Sequence, residues 1–156
     1  MLDKKDRIFL SFLRKDARVN LTTVSRKTSI PISTLYDRLK QGESEYIVKH
    51  TTLLDFAKLG YSCRAHIIVK TERDLRESLR NYLSRCPFVN SLFKINNGFD
   101  FLFDAIFQNV KEMEEFVELL ETKFSIANKQ VYYIIEEIMR ENFLTEPGVM
   151  VSGDRD

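Results

Sequence analysis

Asp100 and Asp104 are the residues that come closest to paired acid–base chemistry. Four positions apart on one strand, they would stand roughly 13 Å from each other at about 3.3 Å per residue, too far to share a proton. His50 and His66 are the only histidines, and neither has a partner at ligand spacing, so no metal site is expected. No glycine-rich phosphate loop, nucleophile elbow or Cys-x-x-Cys pair occurs. The expectation is therefore a protein without cofactor or catalytic activity. Cys63 and Cys86 lie in apolar segments and read as free thiols in a reducing compartment, the cytoplasm.

Another group of side chains fits a different chemistry. In STLYDRLKQ, a helix with Leu35 and Leu39 turned inward would present Ser33, Thr34, Tyr36, Asp37, Arg38, Lys40 and Gln41 outward. Hydroxyls, amides and cations of this kind bond phosphates and base edges. Arg38 and Lys40 are assigned to phosphates, and Ser33, Thr34 and Tyr36 to base edges. The following YIVKHTT (Tyr46–Thr52) is β-branched and aromatic, suiting a wing strand that carries Lys49 and His50 near a duplex backbone. From spacing alone, a three-helix core with a solvated outer face accounts for the pattern equally well.

Charge separates the two halves. Residues 1–60 hold 12 Lys/Arg and 7 Asp/Glu, a balance of +5; residues 61–156 hold 12 and 16, a balance of −4. That asymmetry suits a first third that meets a polyanion. Composition is otherwise ordinary for a globular chain, with 44% hydrophobic and 30% charged residues. No run approaches 18 consecutive apolar residues, and MLDKKDRIFL does not read as a signal peptide, so no membrane partner is expected.

Three helices must position that outward face. Asp3, with Asp6 in the first turn, caps a helix whose apolar face is Ile8, Phe9, Phe12 and Leu13 and which stops near Asp16. Asn20 precedes a short helix over 21–28, with Leu21 and Val24 inward, and Ser29-Ile30-Pro31 breaks it. The third helix runs from about Ile32 to Gln41, with Gly42 ending it.

The remainder alternates strand and helix patterns. SCRAHIIVK (62–70) reads as a strand, and Thr71 with Asp74 as the cap of a helix with stripe Leu75, Leu79, Tyr82, Leu83 and Cys86, ended by Pro87. Residues 88–95 and 99–107 read as strands around an Asn97-Gly98 turn. Asn109 and Glu112 form a capping box for a helix with stripe Met113, Phe116, Val117, Leu120 and Phe124, and 130–138 reads as a last strand. The fold class is α+β: a winged helix-turn-helix followed by a ferredoxin-like β-α-β-β-α-β domain. The expected domains are 1–60 and 61–141, with a mobile tail over 142–156. Two helices cover one face of such a sheet, so Leu102 and Ile106 on the other face point to a second sheet packed there, a homo-oligomer interface.

The stretch LDKKDRIFLSFLRKDARVNLTTVSRKTSIPISTLYDRLK resembles the N-terminal region of the Lrp/AsnC (feast/famine) transcription regulators, at Leu2, Asp3, Asp6, Ala17, Arg18, Ser33 and Arg38, with Gly60 after the wing. Pro87, Val89, Gly98 and Asp100 are similar to the pattern of that family's RAM-type assembly and effector domain, so the likeness spans about residues 2–138. Departures are Ser29 for a turn glycine, Pro31 for a capping serine, and Gly42 and Tyr46 where a leucine and a glycine are usual. The resemblance implies a double-stranded DNA partner, a homodimer or larger assembly, and a small-molecule effector bound near Asn97, Gly98 and Asp100. Where the family tends to carry a small threonine or serine on its fourth strand, this chain has Val131, Tyr132 and Tyr133, which argues against ordinary amino acids as effectors at that site. A second reading stays open: a self-assembling sensor or protein-interaction module that has lost specific DNA binding, favoured by the altered turn after Arg38.

Overall fold

The computed structural model describes residues 2–147, which fold as two compact units: 2–53 with 138–147, and Leu54–Glu137. In the first unit Asp3 caps helix α1 (Lys4–Lys15). Its carboxylate accepts the Asp6 N–H at 2.7 Å, and the Asp6 carboxylate accepts the Asp3 N–H at 3.1 Å. Asn20 caps α2 (Leu21–Thr28), accepting the Thr22 N–H at 2.8 Å. Ser29 ends α2 in the left-handed region with φ 58°, the conformation for which a glycine is usual. A non-glycine residue there costs about 1 kcal/mol. Pro31 then opens α3 (Ile32–Glu45). Phe9, Val24, Ile30 and Leu35 form the buried core, with Phe12, Leu13, Leu21 and Leu39 packed against it.

Two expectations for this unit are corrected. Helix α3 does not stop at Gly42 but continues to Glu45. Gly42 is buried because the chain folds back over it: a Cβ there would lie 2.9 Å from Ile47 Cδ1 and 3.1 Å from Tyr46 Cε2. Its carbonyl accepts both the Tyr46 and Ile47 N–H groups, at 2.9 and 2.7 Å. The glycine permits close packing rather than ending the helix. The expected wing strand over Tyr46–Thr52 is also not formed; Tyr46 closes α3 and 47–55 is irregular. A strand-favouring composition needs a second strand beside it, and among the described residues none pairs with this segment.

The expected bounds at 60 and 142 differ from the observed division. Arg14 donates through Nε to the Phe143 carbonyl and through Nη2 to the Glu141 carbonyl, both at 2.9 Å, and Lys15 lies 2.6 Å from Glu146. These bonds tie 141–146 to α1, while the rest of the expected tail, 148–156, lies outside the described residues.

The second unit follows β1 (Cys63–Thr71), α4 (Arg76–Arg85), β2 (Val89–Lys94), β3 (Phe101–Phe107), α5 (Val110–Phe124) and β4 (Ile126–Tyr133). The sheet order is β2-β3-β1-β4 with every neighbouring pair antiparallel, the ferredoxin-like arrangement. Cys63, Ala65, Ile67 and Val69 of β1 and Phe101, Phe103, Ala105 and Phe107 of β3 bury one face with Leu79 and Leu83 of α4 and the stripe of α5. Between β2 and β3, Asn97 (φ 60°) and Gly98 (φ 83°) take the left-handed conformations of a tight hairpin turn.

Three details depart from expectation. Thr71 does not cap a helix; it is the last residue of β1, and its hydroxyl donates to the Phe124 carbonyl while a 3-10 turn (Arg73–Leu75) leads into α4. Asn109 caps α5 by accepting the Glu112 N–H at 2.9 Å, but the Glu112 carboxylate accepts from Gln108 rather than Asn109. Strand β4 begins at Ile126 instead of residue 130 and ends at Tyr133, because it starts directly after the left-handed Ser125 and aligns with β1 only from Ala65 to Thr71.

Candidate nucleic-acid interface and the open sheet face

Helix α3 is anchored from within by fully buried Leu35, which leaves its opposite side to solvent. Ser33, Tyr36, Asp37, Lys40 and Gln41 are exposed and Thr34 is half-buried; Tyr36 is 59% exposed. Ile32, at the start of the helix, joins them on the surface. The Gln41 amide donates to Glu45 at 2.9 Å, one turn on. Lys49 is exposed in the irregular segment after α3, and His50 pairs with Glu43 at 3.1 Å. The unit also exposes Lys4, Lys5, Arg18, Arg26 and Lys27.

Arg38, expected on phosphates, is not part of that solvent-facing set. Its Nη2 donates to Asp3 Oδ2 at 2.9 Å, and Nη1 donates to Asp3 Oδ1 at 3.1 Å and to Asp6 Oδ1. The side chain is only 20% exposed. The Arg38 hydrogen bond, joined by the Asp6 N–H, holds the Asp3 pKa down at about 2, and the same bond to Asp3 raises that of Arg38. Local spacing points to Asp3 only as a helix cap; nothing in it links Asp3 to a residue 35 positions away.

On the second unit, the face opposite the helices carries Arg64, His66 and Ile68 of β1, Leu102, Asp104 and Ile106 of β3, and Phe93 and Tyr132 of the edge strands. Arg64 pairs with Ile106, His66 with Asp104 and Ile68 with Leu102 in the β1–β3 register. Leu102 and Ile106 thus lie where the alternation puts them, half-buried on the face that neither helix covers. Asp104 between them is 4% exposed. It accepts two hydrogen bonds from Arg64 and one from Asn90, each at 2.8 Å, with His66 Nε2 at 3.4 Å. Burial pushes the Asp104 pKa up, but the Arg64 and Asn90 bonds outweigh it and hold it below the ordinary carboxylate range. The sequence marks this position only as an acid between two apolar residues, and gives no sign of the polar cluster around it.

Asn97 and Gly98 are exposed at the hairpin tip. Asp100 is already engaged: Arg76 Nε lies 2.7 Å from Oδ1, and Oδ2 accepts the Thr71 N–H at 2.9 Å. Asp100 and Asp104 therefore have separate cations and do not form an acid–base pair. A cleft of about 580 Å³ beside Asp100 is lined by Arg76, Arg80 and Leu83 of α4, by Lys94 of β2, and by Asp100 and Phe101. Val131 packs against the core, Tyr132 lies on the open face, and the Tyr133 hydroxyl donates to Glu114 at 3.2 Å. Among the described residues no cluster of three or more His, Cys, Asp or Glu gathers at metal-binding distance, and no helix is long and apolar enough to cross a membrane.

No protein-family model matches the chain. It is 25% identical over 147 residues to an uncharacterized HTH-type transcriptional regulator of Pyrococcus furiosus, covering 94% of this chain and 99% of that one. It is 27% identical over 120 residues to the HTH-type transcriptional regulator FL11 of Pyrococcus horikoshii, covering 76% and 80%. Among solved structures, a transcriptional regulator of Neisseria meningitidis in complex with L-Met superposes with a TM-score of 0.82 at 26% identity, over 90% of this chain and 94% of that one. LrpC of B. subtilis, at 21% identity, shares the fold with a TM-score of 0.80 over 89% and 98%. The two-unit fold, the helix-turn-helix signature and these relatives agree: the chain is similar to HTH-type transcriptional regulators and shares the fold of the Lrp/AsnC regulators.

Proposed function

We propose that this chain is a transcription regulator that binds double-stranded DNA sequence-specifically as a homodimer or larger assembly, through the exposed side of α3. The observation that carries this reading is the polarity of that helix: Leu35 is sealed in the core while Ser33, Tyr36 and Lys40 face solvent on a unit rich in exposed cations. Ser33, Thr34 and Tyr36 would meet base edges in the major groove, and Lys40 and Lys49 the phosphates. Two copies would read half-sites about one helical turn, or a multiple of it, apart. The relatives' names, HTH-type and transcriptional regulator, favour this over an interaction module that has lost DNA binding. The packing of Tyr46 and Ile47 over Gly42 supports the same reading, since the unusual residue there is accommodated by close contact.

Leu102 and Ile106 support face-to-face packing of two sheets, for they are apolar residues on the uncovered side. An effector is a further element of the proposal; the Neisseria regulator was solved with L-Met. Here the turn at Asn97, Gly98 and Asp100 would have to accept its ligand in competition with Arg76, which argues against ordinary amino acids at that site. No catalytic step is assigned, and the proposed site of action is the cytoplasm. Selecting bound sequences from a random duplex pool tests the function: enrichment of a two-fold related motif is expected, and an unenriched pool would overturn sequence-specific binding.

A further inference from the structure

The geometry points to Arg38 as a positioning residue for DNA reading, one that seats α3 through Asp3 and Asp6 and does not itself touch DNA. This deepens the DNA-binding reading and rests on it. Arg38 lies in the middle of the helix proposed to read bases, yet its guanidinium is turned back onto the first turn of α1. Two carboxylates receive it, and both are already fixed in place. Asp3 Oδ1 also accepts the Asp6 N–H, and Asp6 Oδ2 accepts the Asp3 N–H, so the cap of α1 and the clamp on α3 are one network. The Arg38 Nε is buried and the side chain only 20% exposed, so the guanidinium is packed against the unit instead of extending into solvent. A phosphate could take the guanidinium only by leaving Asp3 and Asp6 facing each other without a cation, next to a polyanion. An arginine held by a two-point fork fixes direction as well as distance. Its effect on binding therefore comes through the angle at which Ser33, Thr34 and Tyr36 meet the groove.

A phosphate-holding arginine and a positioning arginine leave opposite signatures. Losing a phosphate contact weakens binding to every sequence and lowers the salt slope by about one unit. Mis-seating α3 removes base contacts but keeps the phosphates. Affinity for the selected site should then fall roughly tenfold, about what one lost base contact costs, with little change on mixed-sequence DNA. The experiment compares the full-length chain with Arg38→Gln, Asp6→Ala and Lys40→Gln on both DNAs, across a salt series, with thermal melts to confirm that each variant is folded. Arg38→Gln is expected to lower the ratio of specific to mixed-sequence affinity at an unchanged salt slope; Lys40→Gln should lower the slope instead. Asp6→Ala supplies a test by sign: removing an acid ordinarily tightens binding to a polyanion, whereas loosening the clamp weakens specific binding. Arg38→Gln with a reduced slope and an unchanged ratio, or Asp6→Ala with tighter specific binding, overturns the proposal. Should Arg38→Gln fail to fold, the sign of the Asp6→Ala effect decides. If the unaltered chain binds neither DNA, the functional reading itself fails and the role of Arg38 falls with it; if it binds and the variants behave otherwise, only the role of Arg38 falls.

Discussion

Arg64 and Asp104, on adjacent strands, form a two-pronged ion pair in the middle of the sheet face that the helices leave open, with both N···O distances at 2.8 Å. Asp104 is nearly sealed and Arg64 mostly so, so the pair is shielded more than a surface bridge would be. Replacing Arg64 by Met leaves a buried carboxylate uncompensated and should destabilise the chain by about 3 kcal/mol. The double variant Arg64→Met/Asp104→Leu should be less damaged than the single one. Chemical denaturation of the three proteins checks this; a double variant as unstable as the sum of both changes contradicts it.

Acid should weaken both units by the same linkage. Asp104 and Asp3 titrate below their unfolded values, so each contributes stability that is present above the ordinary carboxylate pKa and lost as pH falls through the folded one. For Asp3 that window runs from the ordinary 3.8 down to about 2. Carboxyl titration by NMR should find Asp3 ionised down to about pH 2, and Arg38→Gln should raise its pKa toward the ordinary value, with the Asp6 N–H bond still lowering it.

Assembly is open to a direct test on the uncovered sheet face. Replacing Leu102 and Ile106 by Lys should give monomers or unfolded chain in sedimentation velocity, while the unaltered protein sediments as a dimer or larger. A stable monomer of the unaltered chain at micromolar concentration would contradict the proposed interface.

Ligand binding at the hairpin should be absent for ordinary amino acids. A ligand specific to the folded state stabilises it by about 2.7 kcal/mol at a hundredfold excess over its Kd, a readily measured rise in Tm. Millimolar amino acids are expected to leave the Tm unchanged. A saturable rise with one of them, abolished by Asp100→Ala, would show that Arg76 yields the site.

Much of the fold is legible in the sequence because local chemistry settles it. Asn20 and the Ile30-Pro31 break bound α2 at both ends, and Asn97-Gly98 marks the hairpin. The alternation of Phe101, Phe103, Ala105 and Phe107 reads directly as a buried strand face. Legibility fails where partners far along the chain decide. Thr71 with Asp74 has the spacing of a helix start, yet Thr71 belongs to β1 and bonds to Phe124. Gly42 looks like a stop, but its reason is the packing of Ile47 and Tyr46 above it. At the candidate site the exposed residues of α3 follow from periodicity, whereas the role of Arg38 depends on carboxylates 32 and 35 positions away. The same holds for Arg14, whose bonds to Glu141 and Phe143 no periodic pattern could signal.

The most direct measurement is the salt dependence of affinity for mixed-sequence duplex DNA, read as the slope of log Kd against log salt concentration for the unaltered chain and for Lys40→Gln. Each phosphate neutralised contributes about 0.9 to the magnitude of the slope. DNA binding through α3 predicts a slope of several units for the unaltered chain and about one unit less for Lys40→Gln. An affinity that does not change with salt, for any DNA tested, would contradict the assignment of this surface to nucleic acid.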